Sequence, residues 1–233
     1  MKKIGIIGAM DEEVSRLKEK MNVSKVEKKA GMEFFQGELS GKEAVIVKSG
    51  IGKVNAGICT QILVDDFSVD AVINTGVAGS LKNEINIGDI VLSKDALQHD
   101  MDATGFGYEP GVIPRMEESI FKGDETLIQV AKEVNENVNA EISTFVGRVV
   151  SGDQFISDHA KKTELVENFA GYCTEMEGAA IAQVCYLNKL PFLIIRAISD
   201  KADNSATMDY GEFEAKAIEH TVKLVSGMME KLA

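Results

Sequence analysis

Long apolar runs are missing from this sequence. The longest, such as Phe192-Leu193-Ile194-Ile195, fall far short of the ~20 residues that a membrane-crossing helix needs, which predicts a soluble chain. Runs of five or more lysines and arginines are missing as well, and 37 acidic against 25 basic residues leave a net charge of −12. Nucleic acids and anionic membranes are bound through basic patches that release counterions, so neither partner is expected. Cysteine is scarce: Cys59, Cys173 and Cys185 form an odd set with no C-x-x-C pair. That argues against a disulfide framework or a four-ligand zinc site and predicts buried free thiols in a reducing cytoplasm. There are only three prolines, and no repeat, low-complexity stretch or obvious linker interrupts the chain. Residues 1–233 are therefore read as a single domain. Met1 to Met10 carries two lysines and a short apolar run, but Asp11, Glu12 and Glu13 follow at once. Without an adequate apolar region or cleavage site it reads as a first strand, not a signal peptide.

What is present is ordinary globular composition, 45 % hydrophobic and 27 % charged, which excludes disorder and collagen-like sequence. Folding a chain of this size leaves roughly 10,000 Å² exposed and buries about 70 % of the extended surface. Short apolar runs at 4–7, 34–35, 44–47, 71–74 and 89–92, the first three bounded by glycine, read as strands, with 34–47 a hairpin or meander. Phe145 to Val150 and Phe192 to Ala197 are two more. Helical spacing appears after Val14, from Val54 to Val64, from Asp124 to Val138, from Glu177 to Asn188, and around Leu224, Val225, Met228 and Met229. Such alternation predicts an α/β domain with a central, mostly parallel or mixed twisted sheet flanked by helices. The segment Ala103 to Gly123 is the longest irregular one, and long loops in compact domains are often functional.

Familiar chemical motifs fail on spacing. Gly50-Ile51-Gly52 lacks the third glycine of a dinucleotide turn, since Asn55 stands there; Val47 and Val54 refuse a phosphate loop around Gly52-Lys53. No G-x-S-x-G elbow surrounds Ser151, and there is no H-E-x-x-H. His99-Asp100-Met101-Asp102 is a local clump without a second cluster to complete a metal shell, so it reads as a polar loop past a strand. His159 and His220 read as surface residues of helices.

Three acidic groups carry two readings each. Asp11, Glu12 and Glu13 compensate a helix dipole or supply a catalytic carboxylate. Ser199 and Asp200 cap a turn or stand at the carboxyl edge of a strand, where open α/β sheets bind ligands. Glu175 and Glu177, around Met176, cap a small-residue helix or face a ligand.

Taken in order, Gly5-Ile6-Ile7-Gly8-Ala9-Met10, Lys48-Ser49-Gly50-Ile51-Gly52-Lys53-Val54, Asn74-Thr75-Gly76, Gly88-Asp89-Ile90-Val91, His99-Asp100, Ser151-Gly152-Asp153-Gln154-Phe155-Ile156, Glu175-Met176-Glu177 and Arg196-Ala197-Ile198-Ser199-Asp200 cover the chain. This series resembles the 5′-methylthioadenosine/S-adenosylhomocysteine nucleosidase family of the nucleoside phosphorylase superfamily. The resemblance implies that superfamily's fold and hydrolysis of an N-glycosidic bond, giving adenine and a thio-ribose in methionine and methyl-cycle salvage. It implies no metal and no organic cofactor, a cytoplasmic location and a homodimer. By position, Glu13 resembles the carboxylate that activates water, and Asp200 the acid that protonates adenine N7, oriented by Ser199. Phe155 would stack on the purine while the Ile156 backbone reads its edge. Met176 and Glu177 would hold the ribose, with Arg196 and Gly79 near sugar and water. Met10, Ile51 and Tyr210 would line the 5′-thio pocket, completed by Ala103, Phe106 and Pro114 of a neighbouring subunit.

Two departures stand out. Many members of the family have serine in place of Val77, which removes a side-chain hydrogen bond, and alanine in place of Gly178, the poorer helix former. Three rivals remain at this level: a purine nucleoside phosphorylase, a nucleosidase for another adenine-like nucleoside or for futalosine, and a non-catalytic nucleoside sensor. The first would need cationic side chains around phosphate where this chain places Asp11, Glu12 and Glu13.

Overall fold

The computed structural model describes residues 1–203 and 206–233, and the side chains of all of these but Thr207 and Met208. The chain runs β1 (Lys3–Gly8), α1 (Asp11–Lys20), β2 (Asn22–Lys29), β3 (Met32–Leu39), β4 (Lys42–Lys48), α2 (Lys53–Asp65), β5 (Ala71–Ser80) and β6 (Ile90–Gln98). A 3₁₀ turn at Thr104–Phe106 is followed by β7 (Phe121–Lys122), α3 (Glu125–Val138), β8 (Thr144–Ser151), α4 (His159–Phe169), β9 (Cys173–Glu175), α5 (Gly178–Leu187), β10 (Phe192–Asp200) and α6 (Ala206–Leu232). All ten strands belong to one mixed sheet in the order β10-β6-β8-β9-β5-β1-β4-β3-β2, with β7 paired to β6. Because β10 also pairs with β5, strands β5, β9, β8, β6 and β10 close into a ring. β1 lies parallel to β4 and β5, and β5 lies parallel to β10, so the carboxyl ends of β1, β5 and β10 meet.

Apolar strands buried on both faces need helices on both sides. On one face α2 and α5 bring Ala56, Cys59, Leu63, Ala179 and Ile181 against Val45, Val72 and Ile194. On the other, α1, α3 and α6 bring Val14, Leu17, Leu127, Leu224 and Met228 against Ile6, Ile73 and Ile195. The methionine stripe of the last helix is core packing, as its spacing predicts. All three cysteines are buried and free, and burial pushes their thiols up from the ordinary range.

Two strands and one histidine depart from the sequence expectations. β2 has an all but fully exposed pattern with no apolar alternation, so periodicity misses it; it is the lysine-rich edge of the sheet, where charge blocks further pairing. β9 is only three residues long. His220 is buried, not on the surface, and its Nδ1 lies 2.8 Å from the Gly88 carbonyl oxygen. His159 is exposed, as expected.

Candidate active site

Where the carboxyl ends of β1, β5 and β10 converge, a cavity of about 350 Å³ opens, with the β9–α5 turn as its floor and Phe155 and Tyr210 at its edge. A second hollow lies at the amino end of β10, beside Asp124 and Phe192, and has no buried carboxylate in its wall. The first one has four: Glu13, Glu175, Glu177 and Asp200.

Glu13 sits one turn into α1 and bends back over the helix start. Its Oε2 accepts from the amides of Ala9 (2.6 Å) and Met10 (3.1 Å), and its Oε1 from Val77 (3.2 Å). The helix-capping reading of the acidic triplet and the cavity-facing reading are thus the same geometry. Burial pushes the Glu13 carboxyl up from its usual range; the Arg196 guanidinium and the three amides oppose that push. Glycine at 76 makes the approach possible, since a Cβ there would lie 2.3 Å from Glu13 Oε1 and 2.8 Å from an Arg196 nitrogen.

Asp200 ends β10 and is 2 % exposed. Its Oδ1 accepts from the Ala202 amide (2.8 Å) and its Oδ2 from the Ser199 hydroxyl (2.9 Å). Burial raises its pKa, and Asp209 and Asp203 push in the same direction, while those two hydrogen bonds oppose it. A Cβ on Gly79 would come within 2.7 Å of Asp200 Oδ1, so the glycine admits the carboxyl to the strand edge.

Glu175 and Glu177 divide the roles that the sequence left open. Glu175 is the capping carboxylate: its Oε2 accepts from the amides of Glu177 (3.2 Å) and Gly178 (2.8 Å), and it also bonds the Ser151 hydroxyl and Arg196. Those partners hold Glu175 below the ordinary range against its burial. Glu177 makes no cap bond and faces the cavity, with Oε1 accepting from the Gly52 amide at 2.7 Å. Burial first, and the neighbouring Glu175 charge second, push its pKa up to about 7.

Around these carboxyls, Met10, Ile51, Gly79, Phe155, Met176, Ser199 and Tyr210 line the cavity. Phe155 is 52 % exposed and meets Tyr210 edge-on, with ring centroids 6.1 Å apart. The Tyr210 hydroxyl donates to Glu214 and lies 3.5 Å from the Met10 sulfur. Other expected residues lie outside the wall. Arg196 sits behind it, one terminal nitrogen donating to Glu175 and Asn74 and the other to the Ile195 carbonyl. The Ile156 side chain packs into a separate apolar cluster with Leu81, Leu97 and Phe169. Ala103 is buried, Pro114 is half-buried and Phe106 is 88 % exposed, and none of the three reaches the cavity of its own chain. The wall also includes Ala9, Ala78 and Thr174, which no motif reading picked out. Small residues at strand ends carry no chemical signal of their own. Among the described residues no Lys, Arg or His lines the cavity.

The phosphorylase superfamily model matches residues 3–230. The 5′-methylthioadenosine/S-adenosylhomocysteine nucleosidase of Shewanella pealeana is 42 % identical over 231 residues, 99 % of this chain and 100 % of the relative. The crystal structure of the enzyme of that name from Neisseria meningitidis, in complex with methylthio-immucillin-A, superposes with a TM-score of 0.94 at 38 % identity, covering 99 % of this chain and 100 % of that one. Futalosine hydrolase of Helicobacter pylori gives 0.93 at 34 % identity, covering 99 % and 98 %. Matched end to end in sequence and in fold, the chain belongs to the phosphorylase superfamily and, within it, to the N-glycosidic hydrolases of the 5′-methylthioadenosine/S-adenosylhomocysteine nucleosidase family.

Proposed function

We propose that the protein hydrolyses the N-glycosidic bond of 5′-methylthioadenosine and S-adenosylhomocysteine, releasing adenine and the thio-ribose. The observation that carries this reading is a cavity walled by four buried carboxyls and, among the described residues, no cation. Breaking C1′–N9 builds positive charge on the sugar and negative charge on the purine, by analogy with O-glycosides. Asp200 gives its proton to N7, so adenine leaves neutral. Glu13 takes a proton from water as the water oxygen bonds to C1′. Glu177 accepts from the ribose hydroxyls and supports the cationic ring in the transition state. Arg196, bonded to Glu175 and Asn74, serves to keep Glu175 in place behind the cavity.

Phosphorolysis would need cations at the anion, and the wall offers acceptors instead. Methylthioribose is expected to appear at the same rate with and without added phosphate. A ribose 1-phosphate product would overturn the hydrolase reading. The likeness to the futalosine hydrolase makes futalosine the second substrate to assay, with free base released as the readout. The reading places the protein in methionine and methyl-cycle salvage in the cytoplasm; among the described residues no helix is long and apolar enough to cross a membrane.

The working unit is a homodimer. An 88 % exposed phenylalanine on an irregular segment is an apolar group in search of cover, and the 5′ side of the cavity needs apolar walls for a thioether. Phe106 of a second copy, with Ala103 and Pro114 behind it, supplies them. Phe106→Ala is expected to raise KM more than it lowers kcat. Full activity in a monomer across a dilution series would sink the dimer.

A further inference from the structure

The His99-Asp100 pair belongs to no part of the chemistry above, yet Asp100 ties three segments together. Its Oδ1 receives the Lys53 ammonium at 2.6 Å and its Oδ2 the Asp153 amide at 3.0 Å. Lys53 turns back through its own amide to Asp153 Oδ1 at 2.8 Å, closing a triangle between the starts of α2 and of the 153–156 segment. The adjacent amide in the chain, Gly52, is the one that donates to Glu177. Lys53 also reaches Gln98 (2.9 Å), which bonds Gln183, and Gln183 lies 3.5 Å from the Met116 sulfur, two residues past Pro114.

We propose that Asp100 is a positioning residue for Glu177: through Lys53 and Asp153 it fixes the Gly52 amide against the Glu177 carboxylate. The ion pair is part-buried, with both side chains 18 % exposed, so it is worth more than a surface pair and is weakly screened by salt. Burial works against the charge on Asp100, but Lys53 and the Asp153 amide hold its carboxyl below the ordinary range, so the clamp stays charged at neutral pH. Its neighbour His99 is buried with neither ring nitrogen hydrogen-bonded, and burial lowers its pKa, which keeps the ring neutral and out of competition with Lys53. At the other end of the chain, Glu177 is faced by Glu175, Arg196 and Glu13, and the Gly52 amide is among the contacts that hold its pKa down. Loosening Gly52 therefore lets the Glu177 pKa climb further.

The consequence for rate rests on the nucleosidase reading; the clamp itself does not, and the measurements separate the two. Asp100→Asn keeps the shape and removes the charge, and Lys53→Met removes the cation from the other side. In both variants amide hydrogen exchange at Gly52, Lys53 and Asp153 is expected to quicken by about tenfold or more. The Glu177 carboxyl, titrated by NMR in protein labelled with carbon-13 glutamate, is expected to move to higher pH. kcat/KM for methylthioadenosine should fall on the order of tenfold, the equivalent of one charge-assisted hydrogen bond. The double variant should lose little more than the worse single one, since both break the same link. Unchanged exchange, or faster exchange with an unmoved Glu177 titration, overturns the clamp even in an enzyme that turns over normally. A wild-type protein that releases no adenine overturns the nucleosidase reading, while the exchange and the titration still decide the clamp.

Discussion

Asp200→Asn is expected to lower turnover on methylthioadenosine by at least about 100-fold, the ordinary contribution of a general acid. The substitution should leave the fold almost untouched, for a reason visible in the hydrogen bonds. An asparagine oxygen can still accept from the Ala202 amide, and its NH₂ can donate to the Ser199 hydroxyl, which is free to rotate. The Tm should therefore hold while the rate collapses. Binding of a stable substrate analogue should survive as well, because the family resemblance assigns the hold on adenine to Phe155 and the Ile156 backbone. The pH dependence follows from carboxyls needed in opposite states, Glu13 and Glu177 ionised and Asp200 protonated. Asp200 is needed protonated; burial raises its pKa, and the rate declines as pH rises through it. Glu177 is needed ionised to accept from ribose; with a pKa of about 7, it gives a rate that declines as pH falls below that value. In Asp200→Asn the alkaline decline should vanish and the acidic one remain. Near-normal turnover in this variant would remove Asp200 from the role of acid.

How far the sequence alone reaches can be read from single residues. The apolar strands β1, β4, β5, β8 and β10 announce themselves as short runs buried on both faces, and α3 as a clean stripe. β2 stays silent because an exposed edge strand buries nothing, and its residues carry no period. The ring closure between β5 and β10 is equally hidden, since pairing partners are set by the whole sheet and not by local pattern. At the site, spacing alone leaves Glu13, in the first turn of α1, and Asp200, at the end of β10, with two readings each, and only the resemblance singles them out. The division of labour between Glu175 and Glu177 is not legible from spacing, where only the resemblance points to Glu177; two carboxyls two residues apart look alike until the turn shows which one meets the amides. The surface expectation for His220 fails because its ring is held inward at the Gly88 carbonyl, a contact 132 residues away.

Glu13→Gln should also cost turnover at least about 100-fold, by removing the base that takes the proton from water. Here, unlike at Asp200, the fold should register the change. Glu13 receives three backbone amides on two oxygens, so one end of a glutamine NH₂ must face a donor: Val77 if its oxygen turns to Ala9 and Met10, or both of these if it turns to Val77. Arg196 loses one of the carboxylates around it at the same time. A buried donor left facing a donor costs roughly 1–3 kcal/mol, so the Tm of Glu13→Gln should fall clearly below that of Asp200→Asn. The two losses of rate should not multiply. Protonation of the leaving group and attack by water belong to one transition state, so once either is absent the other has little left to assist. Glu13→Gln with Asp200→Asn in one chain is therefore expected to lose much less than the product of the single losses. Losses that multiply in full would mean that the two carboxyls act in separate steps, and the concerted scheme proposed for this cavity would have to be divided accordingly.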